Sequence, residues 1–411
     1  MSNAEPSVGA LAGLRVIDLT SVLMGPYATQ LMADMGADVI KVEPPAGDTV
    51  RGIGPMRHPG MGAIFLHVNR NKRSLVLDLK KPEGLEAFFK LAKSADVVVY
   101  NIRPQAMRRL GIHYERLKAD NPGLIHAGLY GYGEAGPYAG RPAYDDLIQG
   151  AAAVPSVMSR ASGGEPRYVP LTLADRTVGL MAANAILAAV IARTRNNGIG
   201  QEVEVPMYET MVQYVLSDHM AGQTFVPPLG PTGYPRLLVP ERRPYRTLDG
   251  YLCVLIYNDR QWEVFLRLID RAHLFTEDPR FASIGARTEH INDLYQLVGA
   301  AMALRSTDEW QELLREADIP CMPLADLDTL LEDEHLLATG MLQTVDHPTE
   351  GRIRELGVPI KMSATPPARR QRPAPLLGQH SHEVLREAGY SDEQVRELEA
   401  KGATRCAGPT A

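Results

Sequence analysis

The sequence predicts an α/β fold with a mostly parallel sheet, joined to a smaller α+β domain. Three observations carry this. Short β-rich runs alternate with helix-spaced runs through the first half of the chain. The alternation stops at a proline- and glycine-rich stretch. And 411 residues, 45% hydrophobic and 22% charged, are enough for two cores.

Leu14–Leu19 (LRVIDL) reads as the first strand. Gly25–Ala37 (GPYATQLMADMGA) follows with helical spacing and ends at Gly36. Asp38–Glu43 (DVIKVE) is the second strand, stopped by Pro44 and Pro45, and Ser74–Leu79 (SLVLDL) is the third. Pro82 opens a helix over Pro82–Ala95, where proline is tolerated because the first helical N–H has no partner to lose. Asp96–Tyr100 (DVVVY) and Leu124–Tyr130 (LIHAGLY) are the fourth and fifth strands. Ligands of such sheets sit beyond the carboxyl ends of the strands. Thr20–Pro26, Glu43–Asp48, Asn101–Pro104 and Gly131–Pro137 are therefore the candidate site loops.

An alanine-rich helix then runs from Asp175 to Arg195, and Glu202–Val205 (EVEV) is a further strand. Phe225–Tyr245 is dense in proline and glycine and marks a domain boundary. Beyond it, Thr247–Ile256 reads as a hairpin. Arg260–Asp270 and Ser306–Ile319 read as amphipathic helices, the second opening on a Ser306/Glu309 capping box. Gly351–Met362 reads as a strand pair, Thr365–Gly378 as an extended connector, and Ser391–Gly402 as a capped surface helix.

A net charge of −6 argues against a nucleic-acid partner. Local basic clusters at Arg70–Arg73 and Arg103–Arg109 suit a small anionic ligand better than a polyanion, against the alternative of a solvated basic surface. Cys253, Cys321 and Cys406 show no metal spacing and fit a reducing, cytoplasmic setting. Met1–Ala10 lacks the basic-then-apolar pattern of a leader. The longest apolar run, Val178–Ala192, falls short of a membrane span and reads as a buried helix, so no membrane partner is expected.

Gly131-Tyr-Gly133-Glu-Ala-Gly136 matches GxGxxG, but Pro137, Gly140 and Pro142 follow, so no helix is expected to start there for a pyrophosphate. A turn lining a cleft is the better reading, and no nucleotide redox cofactor is expected. His380-Ser-His382 puts two histidines two residues apart, which do not share a helix face, so no metal is expected there. Asp175 has two readings. Thr172-x-x-Asp175 fits a capping box, and an acid in a first helical turn is favoured by the helix dipole. The same amides would also stabilise and orient an ionised carboxylate acting as a nucleophile. The stretch alone does not choose between them.

Taken together, LAGLRVIDLTSVLMGPYATQLMADMGADVIKVEPPAGD, NRNKRSLVLDLKKPEG, DVVVYNIRPQAMRRLG, RPAYDDLIQG, LADRTVG, GQEVEVPMYE and LGQHSHEVLREAGY resemble the class III CoA-transferase family, which includes formyl-CoA:oxalate and carnitine CoA-transferases and is related to α-methylacyl-CoA racemases. The resemblance spans nearly the whole chain. It implies a Rossmann-like large domain completed by the C-terminal segment, plus a small domain, which matches the boundary at Phe225 and a return near Asp326: residues 1–224, a small domain with its linker over 225–325, and 326–411 returning to the first. It also implies an interlocked homodimer. Its nucleophilic aspartate falls on Asp175, and its CoA contacts fall on Val22, Leu77, Lys80, Asn101 and Arg109; charge and location add Arg103. The implied activity moves CoA from an acyl-CoA donor to a carboxylic acid acceptor through an aspartyl anhydride and an aspartyl-CoA thioester. Coenzyme A is then a substrate, and neither metal nor redox cofactor is required.

The racemase alternative needs two bases flanking the α-carbon. Its histidine position is Tyr144 here, and a phenol, which ordinarily titrates at about 10, is a poor base at neutral pH. Tyr144 and Asp145 are instead expected to shape the site beside Asp175. Leu23 and Ile53 stand where the formyl-CoA branch carries glutamine and tryptophan, and its tetraglycine lid has no counterpart in Phe225–Tyr245. A larger or less polar acyl group than oxalate is expected. Arg236, Arg242 and Arg243 are candidates for a second substrate carboxylate, or are linker charges.

Overall fold

Six strands form one sheet in a computed structural model that describes residues 9–367 and 372–407. They are β1 (Arg15–Leu19), β2 (Asp38–Glu43), β3 (Lys72–Val76), β4 (Val97–Tyr100), β5 (Ile125–Tyr130) and β6 (Glu202–Pro206). Every neighbouring pair is parallel, and the order is β3-β2-β1-β4-β5-β6. This is the doubly wound order, in which the connections reverse direction between β1 and β4 and open a crevice at their carboxyl ends.

Strands covered on both faces read as continuous apolar runs, and Val97, Val98 and Val99 are fully buried. On one side the core takes Phe88 and Leu91 from the helix Pro82–Ala92. Val384 and Leu385 from the helix Ser381–Glu387, and Val395 and Leu398 from Asp392–Ala400, join the same cluster. The Asp392–Ala400 helix opens on a Ser391/Gln394 capping box.

The third strand departs from prediction. It lies at Lys72–Val76, not Ser74–Leu79, so two cations sit inside it and are buried. They are tolerated because each meets an acid. Lys72 Nζ lies 3.1 Å from Asp18 of β1, and Lys41 of β2 stands in register with Asp18 between them. Burial alone would raise the Asp18 carboxyl, but Lys72, Lys41 and the hydroxyls of Thr20 and Thr29 hold it down at about 2. Arg73 pairs with Asp38, Glu383 and Glu387, and Arg70 makes a two-pronged bond to Asp34 at 2.9 and 2.6 Å. Arg70 and Arg73 are thus committed to ion pairs rather than solvated, and Arg73 ties the sheet to the helix Ser381–Glu387.

The chain packs as two units. The first holds the described residues up to Ala152, Pro170–Val212, and those from Glu334 on. The second holds Ala153–Val169 and Gln213–Asp333, so its edges differ from the 225–325 read from the proline-rich stretch. Its own core gathers Trp262, Phe265, Leu294, Val298, Trp310 and Leu314. Beside them a small antiparallel sheet pairs Tyr245–Arg246 with Tyr251–Val254 and that strand with Cys321–Pro323. The Ser306/Glu309 capping box forms. In the first unit, Gly351–Leu356 is one strand rather than two, and its antiparallel partner is Leu342–His347. Of the connector predicted over Thr365–Gly378, residues 368–371 lie outside the described residues.

Candidate active site

The crevice at the β1/β4 switch point is framed first by two loops. Thr20–Leu23 leaves β1 and leads into the helix Met24–Asp34. Asn101–Arg103 leaves β4 and leads into the helix Pro104–Arg109. The Asn101 amide joins them: its Oδ1 accepts the Ser21 N–H at 3.0 Å and its Nδ2 donates to the Ser21 carbonyl at 2.8 Å.

The long helix Leu173–Arg195 packs against Met24–Asp34. Gly179 permits the approach: a Cβ there would stand 2.8 Å from the Met24 carbonyl oxygen and 3.0 Å from the Tyr27 ring. This contact brings the start of the long helix, with Asp175, to the switch-point cleft. The cleft holds about 230 Å3. Ser21 to Met24 line it from β1, Asn101, Arg103 and Pro104 from β4, and Leu129 to Tyr132 with Glu134 from β5; Gly140 to Tyr144, Asp175 and Met207 complete it.

Asp175 is the third residue of its helix. The capping box predicted from Thr172 does not form, since Thr172 is the N-cap residue but makes no side-chain capping bond. Asp145 supplies the cap from 30 residues away, its Oδ2 accepting the Asp175 N–H at 2.9 Å. Asp145 is itself held by the Gln149 amide, which donates to its Oδ1 at 2.5 Å and to the Leu171 carbonyl at 3.2 Å. The Asp175 side chain is therefore spared from capping. Its ionisation runs against expectation. Burial first, then the neighbouring Asp145 charge, push the Asp175 carboxyl up to about 7, with Arg176 opposing. The helix start does not make this acid unusually strong; the cleft makes it weak and poised near neutrality.

Asp175, Tyr144, Val22, Asn101 and Arg103 come together in the cleft, with Asp145 directly behind. Tyr144 is 69% exposed. Leu77, Lys80 and Arg109 do not line the cleft. Leu77 is buried in the core just after β3, and Lys80 and Arg109 are exposed, beyond β3 and at the end of the Pro104–Arg109 helix. Leu23 is a buried wall residue, while Ile53 is exposed and not in the lining. In the second unit, Arg236 Nε donates to the Tyr295 hydroxyl at 3.0 Å and Arg243 pairs with Glu241 at 2.9 Å; Arg242 is exposed.

The Gly131–Gly136 turn lines the cleft, and no helix begins until Asp145. Two of its amides are committed to side chains: Gly133 N–H donates to Glu209 at 3.0 Å and Glu134 N–H to Glu204 at 2.8 Å. These two donors are not free to hold an oxyanion. His380 Nδ1 accepts the Ser74 N–H at 3.2 Å, and the His382 ring lies 3.2 Å from Asp392. Both rings thus serve the docking of the C-terminal helices. Sequence reasoning missed Gln149, although its place four residues after Asp145, one helical turn on, was a usable signal. It also missed Arg141, another lining cation.

The sequence model of CoA-transferase family III matches residues 11–381. An acyl-CoA transferase of Fusarium pseudograminearum is 35% identical, over 98% of this chain and 90% of its own. A succinyl-CoA:mesaconate CoA-transferase of Haloarcula hispanica is 35% identical, over 93% and 97%. Among solved structures, the hypothetical protein Rv3272 of Mycobacterium tuberculosis is 31% identical and superposes with a TM-score of 0.77, over 91% of this chain and 99% of its own.

Proposed function

The chain belongs to CoA-transferase family III, and from that premise we propose that it moves CoA between an acyl-CoA and a carboxylic acid through covalent intermediates on Asp175. The observation that carries this is a half-buried carboxyl poised near pH 7 at the switch-point cleft, held through its backbone by Asp145 and not consumed as a cap.

The Asp175 carboxylate attacks the thioester carbonyl, the C–S bond breaks, and CoA leaves as thiolate with the acyl group on Asp175 as a mixed anhydride. The thiolate attacks the aspartyl carbonyl; the donor leaves as its free carboxylate and Asp175 becomes a CoA thioester. An acceptor carboxylate attacks that thioester, expels the thiolate and forms a second anhydride. The thiolate then takes the new acyl group and restores the carboxylate. Each species stays activated, so water must be kept out. Asn101, Arg103 and Val22 stand within the cleft to meet the reacting end of CoA. Lys80 and Arg109, exposed beyond the ends of β3 and β4, are our candidates for its more distant parts; Leu77, whose side chain is in the core, could take part only through its backbone.

The acyl group we favour is dicarboxylic. Support comes from the Haloarcula relative, which by name uses succinyl-CoA, and from Arg103 and Arg141 in the cleft wall. The protein acts as a homodimer on this reading. The test is a trap. The protein is incubated with succinyl-, acetyl- and branched-chain acyl-CoAs and quenched with hydroxylamine, and the Tyr168–Arg195 region is read by mass spectrometry. An acyl-CoA-dependent hydroxamate on Asp175, lost in Asp175→Ala, is expected, with succinyl-CoA the best donor. An unmodified Asp175 with continuing α-proton exchange would move the protein to racemase chemistry.

A further inference from the structure

The loop that carries Val22 into the cleft is conformationally costly. Val22 has φ +70°, a left-handed backbone that a β-branched residue adopts only when its surroundings impose it. The surroundings are visible. Asp18 Oδ1 accepts the Thr20 N–H at 2.9 Å and the Thr20 hydroxyl at 2.5 Å. Lys41 Nζ donates to the Thr20 carbonyl at 2.9 Å and to Asp48 Oδ2 at 2.8 Å. Asp48 Oδ1 accepts the Val22 N–H at 3.1 Å, and Asn101 holds both polar groups of Ser21. From Thr20 N–H to Val22 N–H, every backbone polar group of the loop is thus held by a side chain.

Three of these holders, Asp18, Lys41 and Asp48, lie outside the cleft lining and are buried, and Lys41 and Asp48 are the two that pair with each other across the loop. Their charges belong to a balanced buried set: Asp18, Glu43 and Asp48 against Lys41, Lys72 and Arg51. Glu43 accepts the Asp48 N–H at 3.1 Å and binds Arg51 through both oxygens at 2.7 Å each, so Asp48 is itself anchored. A buried ion pair is weak evidence for stability. This one ends on the one strained residue of the cleft wall.

We propose that the Lys41–Asp48 pair is a positioning device for the transfer reaction: it forces Val22 into the left-handed conformation and so fixes the wall facing Asp175. Neither residue touches substrate; both act through the Thr20–Val22 backbone. The inference rests on the Asp175 reading. Its consequence is that loss of the pair lowers turnover even where the fold survives.

The test uses the full chain with a pair variant, Lys41→Met/Asp48→Leu, which keeps the buried set neutral, and with the single isosteric variant Asp48→Asn. Thermal melts establish that each is folded at the assay temperature. The rate of acyl-CoA-dependent adduct formation on Asp175 is then measured. We expect at least a tenfold loss in the folded pair variant. We expect Val22→Gly, which removes the steric objection to positive φ, to recover threefold or more when added to the pair variant. Adduct formation within twofold of wild type in a folded pair variant overturns the proposal. Should the pair variant not fold, Asp48→Asn and its Val22→Gly derivative carry the same comparison, because asparagine keeps an acceptor for the Val22 N–H but loses the charge that fixes Lys41. Absence of any adduct in the wild type sinks the Asp175 reading, and this proposal with it. Adduct in the wild type with unaffected variants sinks the positioning role alone.

Discussion

At the scale of single residues, Asp175 is set by two opposed demands. A nucleophile must be ionised, but burial and Asp145 favour the protonated form and raise its pKa to about 7. Acylation of Asp175 is therefore expected to rise with pH through about 7. Asp145→Asn removes the second of the two causes while keeping an oxygen to cap the Asp175 N–H. Loss of that negative charge favours ionisation, so the midpoint of the rise should move to lower pH; burial remains, so it should stay above the ordinary aspartate range. Initial rates of hydroxamate trapping from pH 5 to 9 check this, and an unmoved midpoint would leave Asp145 as a helix cap only. Stability runs the opposite way. With its pKa raised in the fold, Asp175 binds its proton more tightly folded than unfolded. Stability accordingly falls as pH rises from the unfolded value near 4 through about 7. Asp175→Asn should relieve a penalty on the order of 2–4 kcal/mol above pH 7, seen as a higher melting temperature.

At the scale of elements, the nucleophile's position is decided by a helix pair. Gly179 lies one turn beyond Asp175 and lets the long helix meet the Met24 carbonyl and the Tyr27 ring. In Gly179→Ala the added methyl meets backbone that cannot rotate away, so the helices must separate. A loss of about 1–3 kcal/mol in stability and a several-fold slower acylation are expected; denaturant titration and the trapping rate measure them, and a neutral result in both would show the contact to be slack. This element-scale logic also explains what could be read in advance. The β1, β2 and β4 strands announce themselves by valine, isoleucine and leucine and β5 as a short apolar run, and the capped helix starts at Ser306 and Ser391 follow from local spacing. β3 was legible only from Ser74 on, because Lys72 and Arg73 look like surface residues until Asp18 and Asp38 are known to face them. The sequence likewise offers Thr172 as the cap for the nucleophile's helix; that Asp145 takes the role depends on a contact between distant segments. Asp175 itself was legible as an acid at a helix start, but the direction of its pKa was not, since burial is a property of the assembled cleft.

At the scale of the whole molecule, the long helix raises the question of what covers it. From the sequence the run Val178–Ala192 is too short to span a membrane and reads as a buried helix. The helix has 23 residues and is, by length and composition alone, apolar enough to cross one. Ala174, Val178, Ala182, Ile186 and Ala189 are buried. Leu180, Asn184, Ala188 and Ile191 form a second stripe at helical spacing that is exposed, with Leu180 and Ile191 each 53% accessible. A helix apolar on all sides is expected to be covered on all sides, and the homodimer proposed for this chain supplies such a cover through a second copy. Asn184 in the middle of the stripe suits a protein interface better than hydrocarbon, where an unpaired amide is expensive. Light scattering in detergent-free buffer should therefore give twice the chain mass. Leu180→Glu/Ile191→Glu places two charges on the stripe, and in a symmetric interface each copy brings both, so that four carboxylates would be desolvated. The expected outcome is a folded monomer with acylation sharply reduced. A variant that stays dimeric would put the interface elsewhere. A wild type that sediments with lipid vesicles and is released from them by the same two charges would mean that the stripe meets a membrane, not a partner.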